Sequence, residues 1–444
     1  MQTRHRFLGS SDTSISSVSA NCKPHDQNWF LNQEKTPSNT ELSLATKARL
    51  GNQKNLFLGY PINMNTPVEE FFTWRRQLHK AGIGSLAFNN AGNPFKQNAV
   101  PFDTHDFERD VIFRFGELLG FSVSNIWGFL SNSGTDSNMH GMYMGRTILK
   151  GRTGIMPKIY FTKEAHYSIQ ILRDLLGIDA VVVATLPDGS MDPNDLKFKL
   201  TDNSNYPALV VATIGTTFKG AIDQVDGIQE VIKDHPGYLH LDAALFGGYL
   251  PYTDYANEVL LRVESNPTVE LYDSIAVSCH KFFGFPSPAG LFITTENRFN
   301  EFSEQFNQVH NPEYIHQVPG TISCSRDAVK PAEFYFFSTP PAMARQAEDA
   351  HSILQHTTYL LQQMQTHFSY LLPTRANNRS NTIYFRKPGS WIVEKYSLAT
   401  MQLVQNNKRQ DFAHVVVMPH VNRKVLTEFL TDLEKDSIHW PRGI

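Results

Sequence analysis

The sequence predicts an α/β fold: a mostly parallel central sheet with helices on both faces, followed by a smaller C-terminal α+β domain. Three observations predict it. Short, β-branched, nearly all-apolar runs recur through the middle of the chain, as strands buried on both faces of a parallel sheet do. Helical stretches alternate with them. Past about residue 330 the alternation gives way to one long helical run, two strands and a last helix.

The elements follow in order. Residues 1–54 are rich in Ser, Thr, Asn and Gln and form a polar N-terminal extension with little core of its own, helical at most over "NTELSLATKARL". Order begins near "LFLGYP", and residues 55–330 hold an N-terminal segment and the large α/β domain. Its strand "NIWGFLSN" precedes the helix "DSNMHGMYMGRTIL", and "KIYFT" precedes "HYSIQILRDLLG". The strands "AVVVATLP", "ALVVATIGTT", "YLHLDAAL", "SIAVSCHK" and "GLFITT" follow. Residues 331–444 form the small domain: the helix "AMARQAEDAHSILQHTTYLLQQMQTHF", strands "NTIYFRKP" and "FAHVVVMP", and the helix "NRKVLTEFLTDLEKD".

Composition narrows the function. A net charge of −3 over 444 residues gives no basic field for nucleic acid. Three cysteines are too few for a disulfide framework, and neither they nor the scattered histidines make a metal motif. No apolar run reaches the ~18 residues of a membrane span. The first residues lack the apolar core of a signal peptide, so a soluble cytoplasmic protein is expected.

In parallel α/β sheets ligands bind at the carboxyl ends of strands. "SNSGTDSN" (131–138) follows one strand and opens a helix, where backbone N–H groups can hold an anion; its plain alternative is an ordinary capped turn. His166 follows another strand and is either a structural imidazole or a flat ring that stacks on an aromatic ligand. Asp242 ends an apolar strand, where it is a helix cap or the partner of a cation. "GTTFKGAID" (215–223) adds hydroxyls. Lys281 ends "SIAVSCHK", where a hydrated cation is costly unless paired, exposed or covalently used. Together these suit a flat pyridine aldehyde bearing a phosphate, with the lysine as Schiff-base former and the Asp on the ring nitrogen.

With "LHLDAALFG", "GTTFKGAID" and "VSCHKFFGFPSPAG" in this order, the chain resembles the group II amino-acid decarboxylases, fold-type I enzymes dependent on pyridoxal 5′-phosphate. The nearest branch is that of the bacterial histidine decarboxylases and plant serine decarboxylases. "FLGYP", "NNAGNPF", "WGFLSNSGTDSN", "HYS" and "FAHVVVMP" support the resemblance, which covers residue 55 onward. It implies that Lys281 carries the cofactor, Asp242 pairs with the pyridinium nitrogen and His166 stacks on the ring. Gly134 and Thr135, with Ser278 and His280, would hold the phosphate, and Ala244 would lie beside the cofactor. Tyr314 would reach the site across a homodimer interface and protonate Cα. Ser325 would sit near the neighbour's cofactor.

Two departures stand out. Cys279 replaces the usual Gly of Ser-Gly-His-Lys. In "SCSRDAVKP" (323–331), Cys324 replaces a Gly, and Asp327, Ala328 and Val329 replace Asn, Gly and His. Asp327 could then add a charge contact for a basic substrate.

The activity the resemblance implies is decarboxylation of an L-amino acid, histidine to histamine first and serine to ethanolamine second. An aminotransferase or lyase of the same fold is a different reading, because fold alone does not fix chemistry. A non-catalytic scaffold is a third. The segment around Tyr314 and the His280-Lys281 dipeptide favour the decarboxylase.

Overall fold

A computed structural model describes residues 51, 53–97, 100–262, 266, 268–308, 310, 313, 318–405 and 408–437. The helix expected within "NTELSLATKARL" lies outside these residues. Seven strands form the central sheet: β1 (Trp127–Ser131), β2 (Lys158–Thr162), β3 (Ala180–Val183), β4 (Ala208–Thr213), β5 (Gly237–Asp242), β6 (Ser274–Ser278) and β7 (Gly290–Thr294). Their order is β1-β7-β6-β5-β4-β2-β3. The pairs among β2 to β6 are parallel, whereas β7 runs antiparallel to both β6 and β1. The reason is the connection. Residues 279–289 join β6 to β7 without a crossover helix, and a parallel return needs one. Lys281 lies in that connection.

Alternate residues of each strand enter two different cores. Leu209, Val211, Tyr238 and Phe292 pack on one face, and Val210, Ala212, Leu239 and Leu291 on the other. This is why the strands read as unbroken apolar runs. Helices α1 (Glu69–Lys80) and α2 (His105–Leu118) precede the sheet. Between β1 and β2 runs α3 (Gly134–Thr153), across β4 to β7. Its start is fixed locally: Ser133 Oγ accepts from Asp136 N–H (3.2 Å), and Asp136 Oδ2 accepts from Asn132 N–H (2.9 Å). Helix α4 (Tyr167–Leu175) follows β2.

The C-terminal residues form a three-stranded antiparallel sheet: β8 (Thr382–Arg386), β9 (Ala399–Gln405) and β10 (Lys408–Val416), in the order β8-β10-β9. Two of these strands were expected from the sequence; β9 was not. "ATMQLVQ" is an edge strand with Val404 70 % exposed, so it lacks the apolar signature of its buried neighbours. Ile383, Phe385 and Val415 of this sheet join the same apolar core as Leu239 and Leu291. No described helix is long and apolar enough to cross a membrane.

Residues 57–64 strap the two sheets together. Leu58 carbonyl accepts from Val416 N–H (2.7 Å), and Asn63 N–H donates to Lys281 carbonyl (3.2 Å). Two buried histidines hold the strap, His414 against Gly59 carbonyl (2.9 Å) and His420 against Phe57 carbonyl (3.0 Å).

Candidate active site

The ends of β1, β2, β4, β5 and β6 meet at one cavity of about 260 Å³. Gly134, Thr135, His166, Asp242, Ala244, Ser278, His280 and Lys281 all line it. The sequence singled out each of these residues, and the fold brings them together. Ser325 does not line the cavity of its own chain; it is exposed and accepts from Asn89 Nδ2 (3.2 Å). Tyr314 lies outside the described residues.

The expected anion cradle is a place of close approach. A Cβ on Gly134 would lie 2.2 Å from Ser278 Oγ, so glycine lets the α3 N-terminus and the end of β6 share this space without displacing the Ser278 side chain. The same holds deeper in α3, where a Cβ on Gly141 would meet the His240 ring at 2.4 Å. His240 is held there by Ser274 Oγ (2.8 Å) and Asn138 Oδ1 (3.0 Å). Burial lowers its pKa to about 4, so it is neutral, with Nε2 donating to Asn138.

His166 caps α4. Its Nδ1 accepts from Ser168 N–H (3.3 Å) and lies 2.8 Å from Ser168 Oγ, which leaves the proton on Nε2. Burial lowers its pKa, Asp242 opposes this and Lys281 reinforces it. Asp242 is 3 % exposed and accepts only a long bond from Ala244 N–H (3.3 Å); among the described residues it makes no ion pair. Burial also lowers the Lys281 pKa, against the pull of Asp242. An amine whose charged form burial disfavours and a buried carboxylate without an ion pair among the described residues therefore face one cavity.

These groups fit pyridoxal phosphate. A buried carboxylate lacking a cation suits a protonated ring nitrogen. The His280 Nδ1 and Thr213 Oγ1 atoms are buried and have no partner, so polar capacity remains at the cavity wall. Lysine with a lowered pKa is the nucleophile that an aldehyde needs. Among the described lining residues Lys281 is the one Lys or Arg, and Asp242 the one carboxylate.

Sequence reasoning missed Thr382 and Val416, which face each other across β8 and β10 and complete the wall from the small sheet. Both sit in ordinary strand sequence, and only the tertiary fold brings them to the site. Asp327 serves a local purpose: its Oδ1 accepts from Val329 and Lys330 N–H groups (2.8 and 3.1 Å) at the start of the helix Val329–Phe334.

Residues 131–367 match the pyridoxal-dependent decarboxylase conserved domain. A histidine decarboxylase of Solanum lycopersicum is 29% identical over 87% of this chain and 86% of its own length. A histidine decarboxylase of Pseudomonas fluorescens is 30% identical, over 80% of this chain and 82% of its own. Serine decarboxylase 3 of Oryza sativa subsp. japonica is also 30% identical, over 86% and 78%. The solved L-methionine decarboxylase of Streptomyces sp. 590 has a TM-score of 0.73 at 20% identity, covering 89% of this chain and 94% of that one, and shares the fold.

Proposed function

We propose a substrate on one premise: the chain belongs to the pyridoxal-dependent decarboxylase family, in the branch of the histidine and serine decarboxylases. It is an amino-acid decarboxylase that uses pyridoxal 5′-phosphate. The reaction we infer is L-histidine to histamine and CO₂. L-serine to ethanolamine is the second reading, favoured because rice serine decarboxylase 3 is as identical to this chain as the Pseudomonas fluorescens histidine decarboxylase.

One observation carries the chemistry: Lys281 and Asp242 converge from the ends of neighbouring strands on a cavity that holds no other fixed charge among its described residues. Pyridoxal phosphate, when bound, takes up the electron pair left at Cα as the carboxylate departs. Lys281 Nζ would hold the cofactor covalently and yield to the substrate amine. Asp242 would keep a proton on the ring nitrogen, and His166 would cover one ring face. The N–H groups of Gly134 and Thr135, with Ser278 and His280, would bind the phosphate. Tyr314 would deliver a proton to Cα. No described arginine clamps the substrate carboxylate, so a buried carboxylate gains by leaving as neutral CO₂. Thr216, Thr217 and Thr382 offer hydroxyls to a neutral polar side chain, whereas a long basic one finds no second carboxylate among the described lining residues.

A homodimer with composite sites fits this reading. Tyr167, Ile171 and Leu175 lie on one face of α4, 71, 57 and 68 % exposed. Leu175 also lines an apolar hollow with Met139, Tyr143, Leu176 and Ile322. A second copy is the proposed occupant of this stripe, since symmetric dimers are the commonest assembly. A cytoplasmic location is proposed on composition alone.

The test is catalytic efficiency on histidine, serine, lysine, ornithine and tyrosine. Histidine should lead. Tyrosine or a long basic amino acid ahead of histidine by more than about tenfold, ~1.4 kcal/mol of discrimination, would refute the substrate.

A further inference from the structure

Glu164 and Lys219 take no part in the chemistry above, yet they join the two loops that carry much of it. Lys219 Nζ lies 2.8 Å from Glu164 Oε1, and the two side chains are only 15 and 16 % exposed. Glu164 sits two residues before His166 in the turn between β2 and α4. Lys219 sits two residues after Thr217 in the loop that follows β4. Strands β2 and β4 are parallel neighbours, so both loops leave the same edge of the sheet.

The pair lies behind a thin wall. An outer hollow of about 700 Å³, bounded by Glu164, Lys219, Tyr384 and the edge strand β9, shares His166 and Thr217 with the cofactor cavity. Those two residues therefore separate the hollow from the cavity. Each loop is anchored near its base. Ser168 fixes the His166 ring from the α4 side. In the other loop, Ala221 N–H donates to Thr216 Oγ1 (2.9 Å), and His414 Nδ1 lies 2.8 Å from the Phe218 carbonyl. The Lys219 stem is confined as well, since a Cβ on Gly189 would lie 2.9 Å from its Cδ. Within this frame the ion pair is a direct link between the loops. An exposed ion pair contributes little, but a largely desolvated one held at both ends is costly to break on one side only.

We propose that the Glu164–Lys219 ion pair is a positioning brace that holds His166 and Thr217 together as the outer wall of the cavity and so sets how firmly pyridoxal phosphate is retained. The proposal rests on His166 covering the cofactor ring.

The experiment follows release of pyridoxal phosphate from the full-length holoenzyme after dilution into cofactor-free buffer, by its absorbance. Glu164→Gln and Lys219→Met should each release it about tenfold faster than wild type. The reversed pair, Glu164→Lys with Lys219→Glu, should return to within threefold of wild type, which loss of a merely structural residue would not do. If the reversed protein does not fold, Lys219→Arg takes its place and should likewise stay within threefold. Single variants within twofold of wild type, or a restoring variant as leaky as the singles, overturn the brace. Purified wild type that carries and takes up no pyridoxal phosphate would instead overturn the cofactor assignment beneath it.

Discussion

Gly134→Ala tests the anion cradle. The added Cβ would lie 2.2 Å from Ser278 Oγ and 3.5 Å from Ser278 Cβ, so the Ser278 side chain must rotate away. Driving it off its rotamer costs ~1 kcal/mol. Removing a hydrogen bond to a charged phosphate costs ~1.5–3 kcal/mol more. The sum, ~2.5–4 kcal/mol, weakens pyridoxal phosphate binding by roughly 60- to 1000-fold. Equilibrium titration of the protein with pyridoxal phosphate, followed by absorbance, reads this directly. Adding Ser278→Ala to Gly134→Ala removes the collision but not the lost hydroxyl, and should recover about fivefold, the ~1 kcal/mol of rotamer strain. A Gly134→Ala protein that binds within threefold of wild type would refute the cradle.

Asp242→Asn keeps the shape and removes the charge, so turnover should fall at least about a hundredfold, ~3 kcal/mol, while the cofactor still binds. Near-normal turnover would mean that another group protonates the ring. Mixing Lys281→Ala subunits with Tyr314→Phe subunits should restore partial activity, because one composite site per mixed dimer is intact. No recovery after confirmed subunit exchange would place Tyr314 outside its neighbour's site. Stability should fall in mild acid. Burial lowers the pKa of His140 to about 3 and of His240 and His420 to about 4. From pH ~6.5 down to ~4 the unfolded chain then binds protons that the folded one does not, at ~2 kcal/mol per histidine by pH 5. Asp223 acts in the opposite direction: burial raises its pKa to about 7, and its protonated form favours the fold below that pH. Thermal melts from pH 7 to 5 should show a falling Tm, and His240→Gln should make the decline shallower; a flat profile would contradict the neutral buried histidines.

What the sequence revealed depended on contrast. Lys281 and Asp242 stood out because a charge at the end of an all-apolar strand breaks the pattern around it. The strands themselves were visible because both faces of the sheet are covered, so Leu209 and Val210 are equally apolar although they enter different cores. Strand β9 had no such contrast, with Met401 and Val404 exposed at an edge. Long-range partnerships were hidden. Arg326 forms a buried bidentate pair with Glu108, 218 residues away, and Glu108 also accepts from Leu130 N–H (2.8 Å) at the end of β1. The sequence shows Arg326 only as part of a segment that departs from its relatives. Thr382, Val416 and the Glu164–Lys219 pair are likewise ordinary residues that acquire meaning from what the fold sets beside them.

The central claim is that this cavity removes the carboxylate of an amino acid through Lys281. Simultaneous measurement of CO₂ and amine from L-histidine, with wild type and Lys281→Ala, tests it most directly. Wild type should release the two in a one-to-one ratio, and Lys281→Ala should lose nearly all of both. Conversion of the amino acid without CO₂, or near-normal CO₂ release from Lys281→Ala, would contradict the account.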